Sequence, residues 1–128
     1  MNRNIVIIAV CMIGIAIILG AFGAHGLKEL VTAEKLASFE TGVKYQMYHG
    51  LALLVLGLNA DRVSFSLKTV STLLLLGTLL FSVSIYFLTI QDLFDASLKF
   101  LGPVTPLGGS LLIAGWVIFL VKLVRSKA

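Results

Sequence analysis

Residues 4–24 read NIVIIAVCMIGIAIILGAFGA and contain no Asp, Glu, Lys or Arg. A helix that crosses the hydrocarbon core of a bilayer needs about 20 mostly apolar residues, so this segment has the length of one transmembrane helix. The apolar part of a cleavable signal peptide is shorter, at roughly 7–15 residues. We therefore expect residues 4–24 to be retained as a first transmembrane helix.

Three more charge-free segments follow, at residues 45–60, 69–91 and 100–121. The mean hydropathy of the chain is +1.05, and 59% of its residues are hydrophobic. A soluble domain of this size has too much surface to bury so much apolar chain. The sequence therefore predicts an all-α polytopic membrane protein, with residues 1–128 forming one domain, an antiparallel bundle of four transmembrane helices.

The net charge of +4 reflects membrane topology, because the basic residues are scattered between the apolar segments and along the chain ends. We expect the lipid bilayer as a partner and no nucleic acid. Six of the ten basic residues lie at the termini and in the second connection, namely Arg3, Arg62, Lys68, Lys122, Arg125 and Lys127. The other four lie on the opposite side, namely Lys28, Lys35, Lys44 and Lys99. Because cytoplasmic loops carry the excess of Lys and Arg, this asymmetry predicts that both termini are cytoplasmic.

The second charge-free segment is the shortest, and an amphipathic stretch precedes it. Four apolar residues share one face at helical spacing, namely Leu36, Phe39, Val43 and Met47. We expect Thr32–Glu40 to form a short interfacial helix between the first and second crossings, with Thr32 as its N-cap. In the fourth segment, Thr105 is the predicted cap and Pro106 the first helical residue, so that helix is expected over Pro106–Lys122.

Small and hydroxyl-bearing residues form stripes along the predicted helices. The first helix has Ala9, Ala16, Gly20 and Gly23 within one sector, and the third has Ser71, Thr78, Ser82 and Thr89. Such stripes let helix backbones approach closely and supply hydrogen bonds between helices. A polar permeation path is the alternative, but no ionisable residue lies near the middle of a predicted crossing, as coupled transporters usually require.

The remaining polar residues cluster at one predicted membrane interface, the non-cytoplasmic one. The candidate site residues are His25, Tyr45, Gln46, Tyr48, His49, Gln91 and Thr105. We expect His25 and His49 to face the bundle interior close to each other and to Tyr45. The functional alternatives are a metal site, a haem pair, or a pocket for a polar head group or quinone. The structural alternatives are aromatic anchoring and satisfied hydrogen bonds, which we favour.

Two histidines and the single cysteine, Cys11, are too few for a usual zinc site, so the sequence predicts no metal and no cofactor. The acidic residues lie in connections or at helix ends, namely Glu29, Glu34, Glu40, Asp92 and Asp95. Because they form no recognisable pair or triad with a nucleophile, no catalytic residues are predicted and the chain is not expected to be an enzyme.

Five short motifs resemble those of a known protein family. In order they are GAFGAHGL at residues 20–27, FETGVKYQMYHGLA at 39–52, LFSVSIY at 80–86, GPVTPLGG at 102–109 and GW at 115–116. The chain resembles the small bacterial membrane proteins of the YgdD/YwdK type, which are related to eukaryotic transmembrane protein 256. The resemblance implies an integral membrane protein of about four helices, in the bacterial inner membrane, and it implies no particular activity.

These observations predict a small integral membrane protein without enzymatic activity. We expect an accessory or structural component of the membrane or of a larger membrane complex, whose partners are other membrane proteins or further copies of the chain. The alternative is a binder of a lipid, quinone or other amphipathic small molecule in a polar pocket near the non-cytoplasmic face.

Overall fold

The fold is all-helical in a computed structural model that describes residues 1–127. Within these residues there is no strand, and four long helices follow one another: α1 (Arg3–His25), α2 (Ala33–Leu58), α3 (Lys68–Phe94) and α4 (Val104–Arg125). Short 3₁₀ turns lie in the connections, at Leu27–Glu29, Ala60–Arg62 and Lys99–Leu101.

Three segments are long and apolar enough to cross a membrane, namely α1, α3 and the Lys99–Arg125 segment that contains α4. Their outer faces are apolar and exposed, with Ile18 on α1 68% exposed and Ile113 on α4 67% exposed. Such faces require lipid around them, so these helices contact the bilayer. Helix α2 is not among the three, because the polar run Tyr45–His49 lies at its centre.

Helix α2 contains the amphipathic stretch as its own first turns. The sequence predicted a separate short helix over Thr32–Glu40, and this is wrong, because α2 continues unbroken for 26 residues from Ala33. No proline interrupts it. Thr32 is its N-cap, as predicted, with the hydroxyl accepting a hydrogen bond from the Lys35 backbone amide at 3.3 Å.

Helix α4 begins at Val104, two residues before the predicted start at Pro106. Pro106 therefore lies inside the first turn, where its missing N–H would have no helical partner in any case. Thr105 is not the cap that the sequence predicted, because Pro103 occupies that position and Thr105 bonds to Ser84 of α3 instead.

Glycines set the antiparallel packing of α1 on α2. A Cβ added to Gly23 would lie 3.0 Å from the Phe39 ring, and one added to Gly50 would lie 3.0 Å from Ile13. Near the other end of the pair, a Cβ on Gly57 would lie 2.9 Å from Val6. Close contact along the whole length of both helices supplies the dispersion energy that replaces the hydrophobic effect in lipid.

The closest backbone approach joins α3 and α4. A π-helical turn at Leu79–Val83 bulges from α3, and Gly108 of α4 packs on it. A Cβ added to Gly108 would lie 2.3 Å from the Phe81 backbone nitrogen, which is closer than real Cβ atoms are found. Only glycine allows α4 to lie this deep against α3.

The four helices form an open row rather than a closed ring. Helices α2 and α3 are central, α1 packs along α2, and α4 packs along α3. Across residues 1–127, α1 and α4 make no extensive contact with each other. One buried cluster spans α1 to α4 near the Asn59–Lys68 turn and includes Ile5, Leu53, Leu74 and Leu112, and a second, near the opposite end, includes Leu27, Phe39 and Tyr86.

Candidate functional site

The polar run Tyr45–His49 lies at the middle of α2. Because α2 begins twelve residues before Tyr45, this run is level with Met12 and Ile13 on α1 and with the π-helical turn of α3. The sequence predicted a position near a membrane interface, whereas the structure places the run at the middle of the helix. The charge-free segment starts at Tyr45, but the helix does not.

The side chain of Gln46 on α2 forms hydrogen bonds with both α1 and α3. Its buried side chain donates from Nε2 to the Met12 carbonyl oxygen of α1 at 2.9 Å. Its Oε1 accepts from the Tyr86 hydroxyl of α3 at 2.8 Å. One amide side chain on α2 thereby satisfies a polar group on each neighbour, which a buried network requires if it is to stabilise the fold.

A second hydrogen bond joins α2 and α3 one turn away. The fully buried Ser82 hydroxyl, inside the π-helical turn, donates to the Gly42 carbonyl oxygen at 2.7 Å. Of the predicted hydroxyl stripe, only Ser82 bonds to another helix. The others donate within α3, to carbonyl oxygens three or four residues earlier, namely Ser71, Thr78 and Thr89.

His49 connects α2 to α4 through Trp116. The Trp116 indole Nε1 donates to His49 Nε2 at 3.0 Å, and His49 Nδ1 lies 2.8 Å from the Tyr45 carbonyl oxygen. An indole N–H can only donate and a carbonyl can only accept, so the imidazole carries its proton on Nδ1 and is neutral. Both ring nitrogens are thereby used, and His49 has no free position for a metal.

The structure does not bring His25 and His49 together. His25 ends α1 and is exposed, close to the level of Phe39, which packs on Gly23. Ten residues of α2 separate Phe39 from His49, which corresponds to about 15 Å along the helix. The expected pair of neighbouring imidazoles is therefore not formed.

The other candidate residues lie in three separate places. Gln91 Oε1 accepts from the Leu98 backbone amide at 2.8 Å and holds the connection between α3 and α4. The Thr105 hydroxyl lies 2.6 Å from that of Ser84. Tyr48 is exposed on α2, and Tyr45 is partly exposed but packs on Phe81 of α3, with the two tyrosine rings in an edge-to-face arrangement.

Two cavities lie between α2 and α4, with residues of α3 forming their floor. The upper cavity, of about 350 Å³, is lined by Lys35, Ser38, Thr41, Ile85, Leu88, Thr89 and Thr105. The lower cavity, of about 320 Å³, is lined by Tyr45, His49, Phe81, Gly109, Leu112, Ile113 and Trp116. We call the two together the α2–α4 groove.

The two cavities are stacked end to end. On α2, Thr41 of the upper cavity precedes Tyr45 of the lower one by four residues, which is about one helical turn. On α4, Thr105 and Gly109 have the same spacing. The groove therefore runs from the connections at one end of the molecule to the middle of the helices. Its surface is mostly apolar throughout, and Lys35 and four hydroxyl-bearing residues supply polar groups in the upper part.

The polar groups of the helix interfaces are already satisfied. Throughout residues 1–127, each fully buried side-chain nitrogen or oxygen has a hydrogen-bond partner, and no three His, Cys, Asp or Glu residues come together as metal ligands. Sequence reasoning missed Trp116, Tyr86 and Ser84 as members of these networks. Trp116 and Tyr86 do occur in the quoted motifs, but periodicity does not reveal partners 67 or 40 residues apart.

Comparison with known proteins agrees with the membrane character. The family described as "Protein of unknown function (DUF423)" matches residues 19–109. The UPF0382 inner membrane protein YgdD of Escherichia coli is 38% identical over 127 residues, 98% of this chain and 93% of its own length. The UPF0382 membrane protein YwdK of Bacillus subtilis is 40% identical over 113 residues, 87% of this chain and 88% of its own.

A UPF0382 membrane protein of Staphylococcus epidermidis is 39% identical over 106 residues, 83% of each chain. No solved structure matches the chain. The resemblance to proteins of the YgdD/YwdK type, inferred from the motifs, is confirmed by these relatives.

Proposed function

Because this chain belongs to the DUF423 family of membrane proteins of unknown function, we propose that it is a non-enzymatic accessory or structural component of the bacterial inner membrane. Its partners in this role are other membrane proteins or further copies of the chain. One observation carries the proposal: the polar side chains at the middle of the helices are engaged in hydrogen bonds within the chain. Gln46, Ser82 and His49 hold helices together and leave no activated nucleophile or base.

The proposal includes a crossing by α2. The helix is 26 residues long, which is about 39 Å, more than the roughly 30 Å hydrocarbon core. Gln46 and His49 face α1, α3 and α4 rather than lipid, so their polarity does not prevent insertion. Lys35 lies near one end of α2, and Lys44, which precedes Tyr45 near the middle, has a long side chain that can extend towards that end. We infer that the first turns, Ala33–Glu40, lie at the interface itself.

Isolation from native membranes tests the accessory role. The protein is extracted with a mild detergent, its mass is measured by light scattering, and the other chains present are identified by mass spectrometry. The proposal expects a reproducible assembly larger than the 13.8 kDa chain, containing other membrane proteins or further copies. A clean monomer from every extraction would contradict it. Chemical crosslinking in intact membranes before extraction is the control for complexes that detergent disrupts.

A second candidate function is the binding of an amphipathic small molecule. The α2–α4 groove favours it, because Lys35 and four hydroxyl-bearing residues line its upper part, while aromatic and aliphatic side chains line most of its lower part. Binding sites for small molecules combine apolar walls with a few polar groups in this way. Mass spectrometry of the intact protein in mild detergent tests it through any molecule that remains bound.

A further inference from the structure

The length of the α2–α4 groove matches one leaflet of a bilayer. Along α2 the groove extends from Lys35 in the upper cavity to His49 in the lower one. These fourteen residue steps span about 21 Å, and half of a bilayer of roughly 40–45 Å, head-group regions included, is about 20–22 Å. A molecule that fills the groove therefore has its polar end at the connections and its apolar end at mid-membrane.

Three of the four hydroxyl groups that line the upper cavity, those of the threonines, present acceptors rather than donors. Thr41 donates its proton to the Ala37 carbonyl oxygen at 3.0 Å, and Thr89 donates to that of Ile85 at 2.8 Å. Ser84 lies 3.0 Å from the Phe81 carbonyl oxygen, which leaves Thr105 to donate to Ser84. What remains free on these oxygens are lone pairs, which suit a ligand that carries N–H or O–H groups.

Opposite charges lie together at the upper end of the groove. Lys35 lines the upper cavity and forms an ion pair with Asp92 of α3. Both side chains are partly exposed, so the pair is weak and can open at little cost. At this end of the molecule five acidic residues accompany four lysines, so no excess of positive charge attracts a purely anionic ligand.

The lower cavity suits an acyl chain. Phe81, Leu112 and Ile113 give it apolar walls, and Gly109 contributes no side chain to fill it. Tyr45 lines its upper part, four residues and about 6 Å from His49 along α2, and its ring packs on that of Phe81 with centroids 4.8 Å apart.

We propose that the α2–α4 groove binds one diacyl phospholipid whose head group carries a primary ammonium, of the phosphatidylethanolamine class. The phosphate pairs with Lys35, the ammonium donates to Asp92 and to the threonine oxygens, and one acyl chain occupies the lower cavity. This inference rests on the second candidate function, the binding of an amphipathic molecule, and names its class. A quinone fits less well beside the threonines, because its ring carbonyls are acceptors and the free threonine lone pairs are acceptors too.

The test compares lipids on the delipidated, full-length protein. Phosphatidylethanolamine, phosphatidylglycerol and ubiquinone are added in equal amounts, and the bound fraction of each is measured by native mass spectrometry. We expect phosphatidylethanolamine to be preferred about ten-fold, because one additional hydrogen bond to a charged group corresponds to about that factor. Glycerophosphoethanolamine, which lacks acyl chains, is expected not to be retained.

Variants locate the binding in the groove. Thr41→Val combined with Thr89→Val preserves side-chain size and removes two acceptors, so the preference for phosphatidylethanolamine is expected to fall to about two-fold or less. Gly109→Leu fills the lower cavity and is expected to abolish retention of each lipid. Ser71→Ala is the matched control, because it also removes an α3 hydroxyl that donates within the helix, but near the other end. Circular dichroism checks that each variant keeps its helices.

The outcomes separate this inference from the function on which it rests. Equal retention of the two phospholipids, or a preference for ubiquinone, overturns the assignment to an aminophospholipid, although an amphipathic molecule is bound. Retention of none of the three overturns both the assignment and the second candidate function. A preference that survives in Gly109→Leu and in the threonine variant overturns the location in the groove.

Discussion

Alanine at two adjacent glycines of α4 should have opposite effects on stability. At Gly108 the new Cβ would lie 2.3 Å from the Phe81 nitrogen, 2.7 Å from the Leu80 carbonyl carbon and 2.8 Å from the Gly77 oxygen. All three are backbone atoms, so no rotamer change relieves the contact. At Gly109 the nearest atom to a new Cβ is in the Phe81 ring at 3.7 Å, which is ordinary van der Waals contact.

The magnitudes follow from these distances. Moving from 2.3 Å to an ordinary 3.4 Å requires α4 to withdraw from α3 by about 1 Å, which also loosens the contact of Gly115 with Leu74. Overpacking of this kind costs about 1–3 kcal/mol and sometimes more. We expect Gly108→Ala to lower the free energy of unfolding by about 3 kcal/mol. Gly109→Ala should raise it by up to about 1 kcal/mol, because alanine is the better helix former.

Equilibrium unfolding in mixed detergent micelles, followed by circular dichroism, measures both variants against the unchanged protein. The comparison within the pair removes the effects that any glycine-to-alanine change has on helix propensity and on the unfolded state. Equal effects of the two substitutions, or a stable Gly108→Ala variant, would refute the close packing of α4 on the π-helical turn.

Two further predictions concern the hydrogen bonds of α2. Gln46→Leu and Tyr86→Phe should each lower the free energy of unfolding by about 1–2 kcal/mol, and the double variant should lose less than the sum, because both remove the same bond. Strict additivity in that double-mutant cycle would show that the bond does not form. His49→Ala removes the acceptor of the Trp116 indole N–H, so tryptophan fluorescence should shift to shorter wavelength. Since Trp116 is the only tryptophan of the chain, an unchanged spectrum would contradict the contact.

The sequence predicts the helical membrane class because the charge-free segments are long. It placed the polar residues near one end of the second helix, whereas the structure places them at the middle of α2. The charge-free segment starts at Tyr45, but α2 begins at Ala33 and includes Glu40 and Lys44. A segment bounded by the last charge therefore omits the first twelve residues of the helix and puts Gln46 and His49 near its end.

The partners of the polar residues depend on tertiary packing and have no local pattern. The sequence marks Gln46 as a candidate polar residue but does not predict its burial between three helices, because its partner on α1 is the backbone carbonyl of Met12, a group that every residue has. Thr105 looks like a cap because Pro106 follows it, yet the contact with Ser84 determines its role. The small residues of α1 are an exception, since spacing alone predicts the face that buries Ala9, Ala16 and Gly23.

Cysteine accessibility in intact cells tests most directly whether α2 crosses the membrane with its polar residues inside the bundle. Single cysteines replace Lys28, Ser66 or Ser97 in a Cys11→Ala background and are exposed to a membrane-impermeant maleimide. With α2 spanning and both termini cytoplasmic, positions 28 and 97 are labelled and position 66 is protected until the cells are opened. Positions 28 and 66 reacting alike would show that α2 does not cross, and the reverse pattern at all three positions would place both termini outside the cytoplasm.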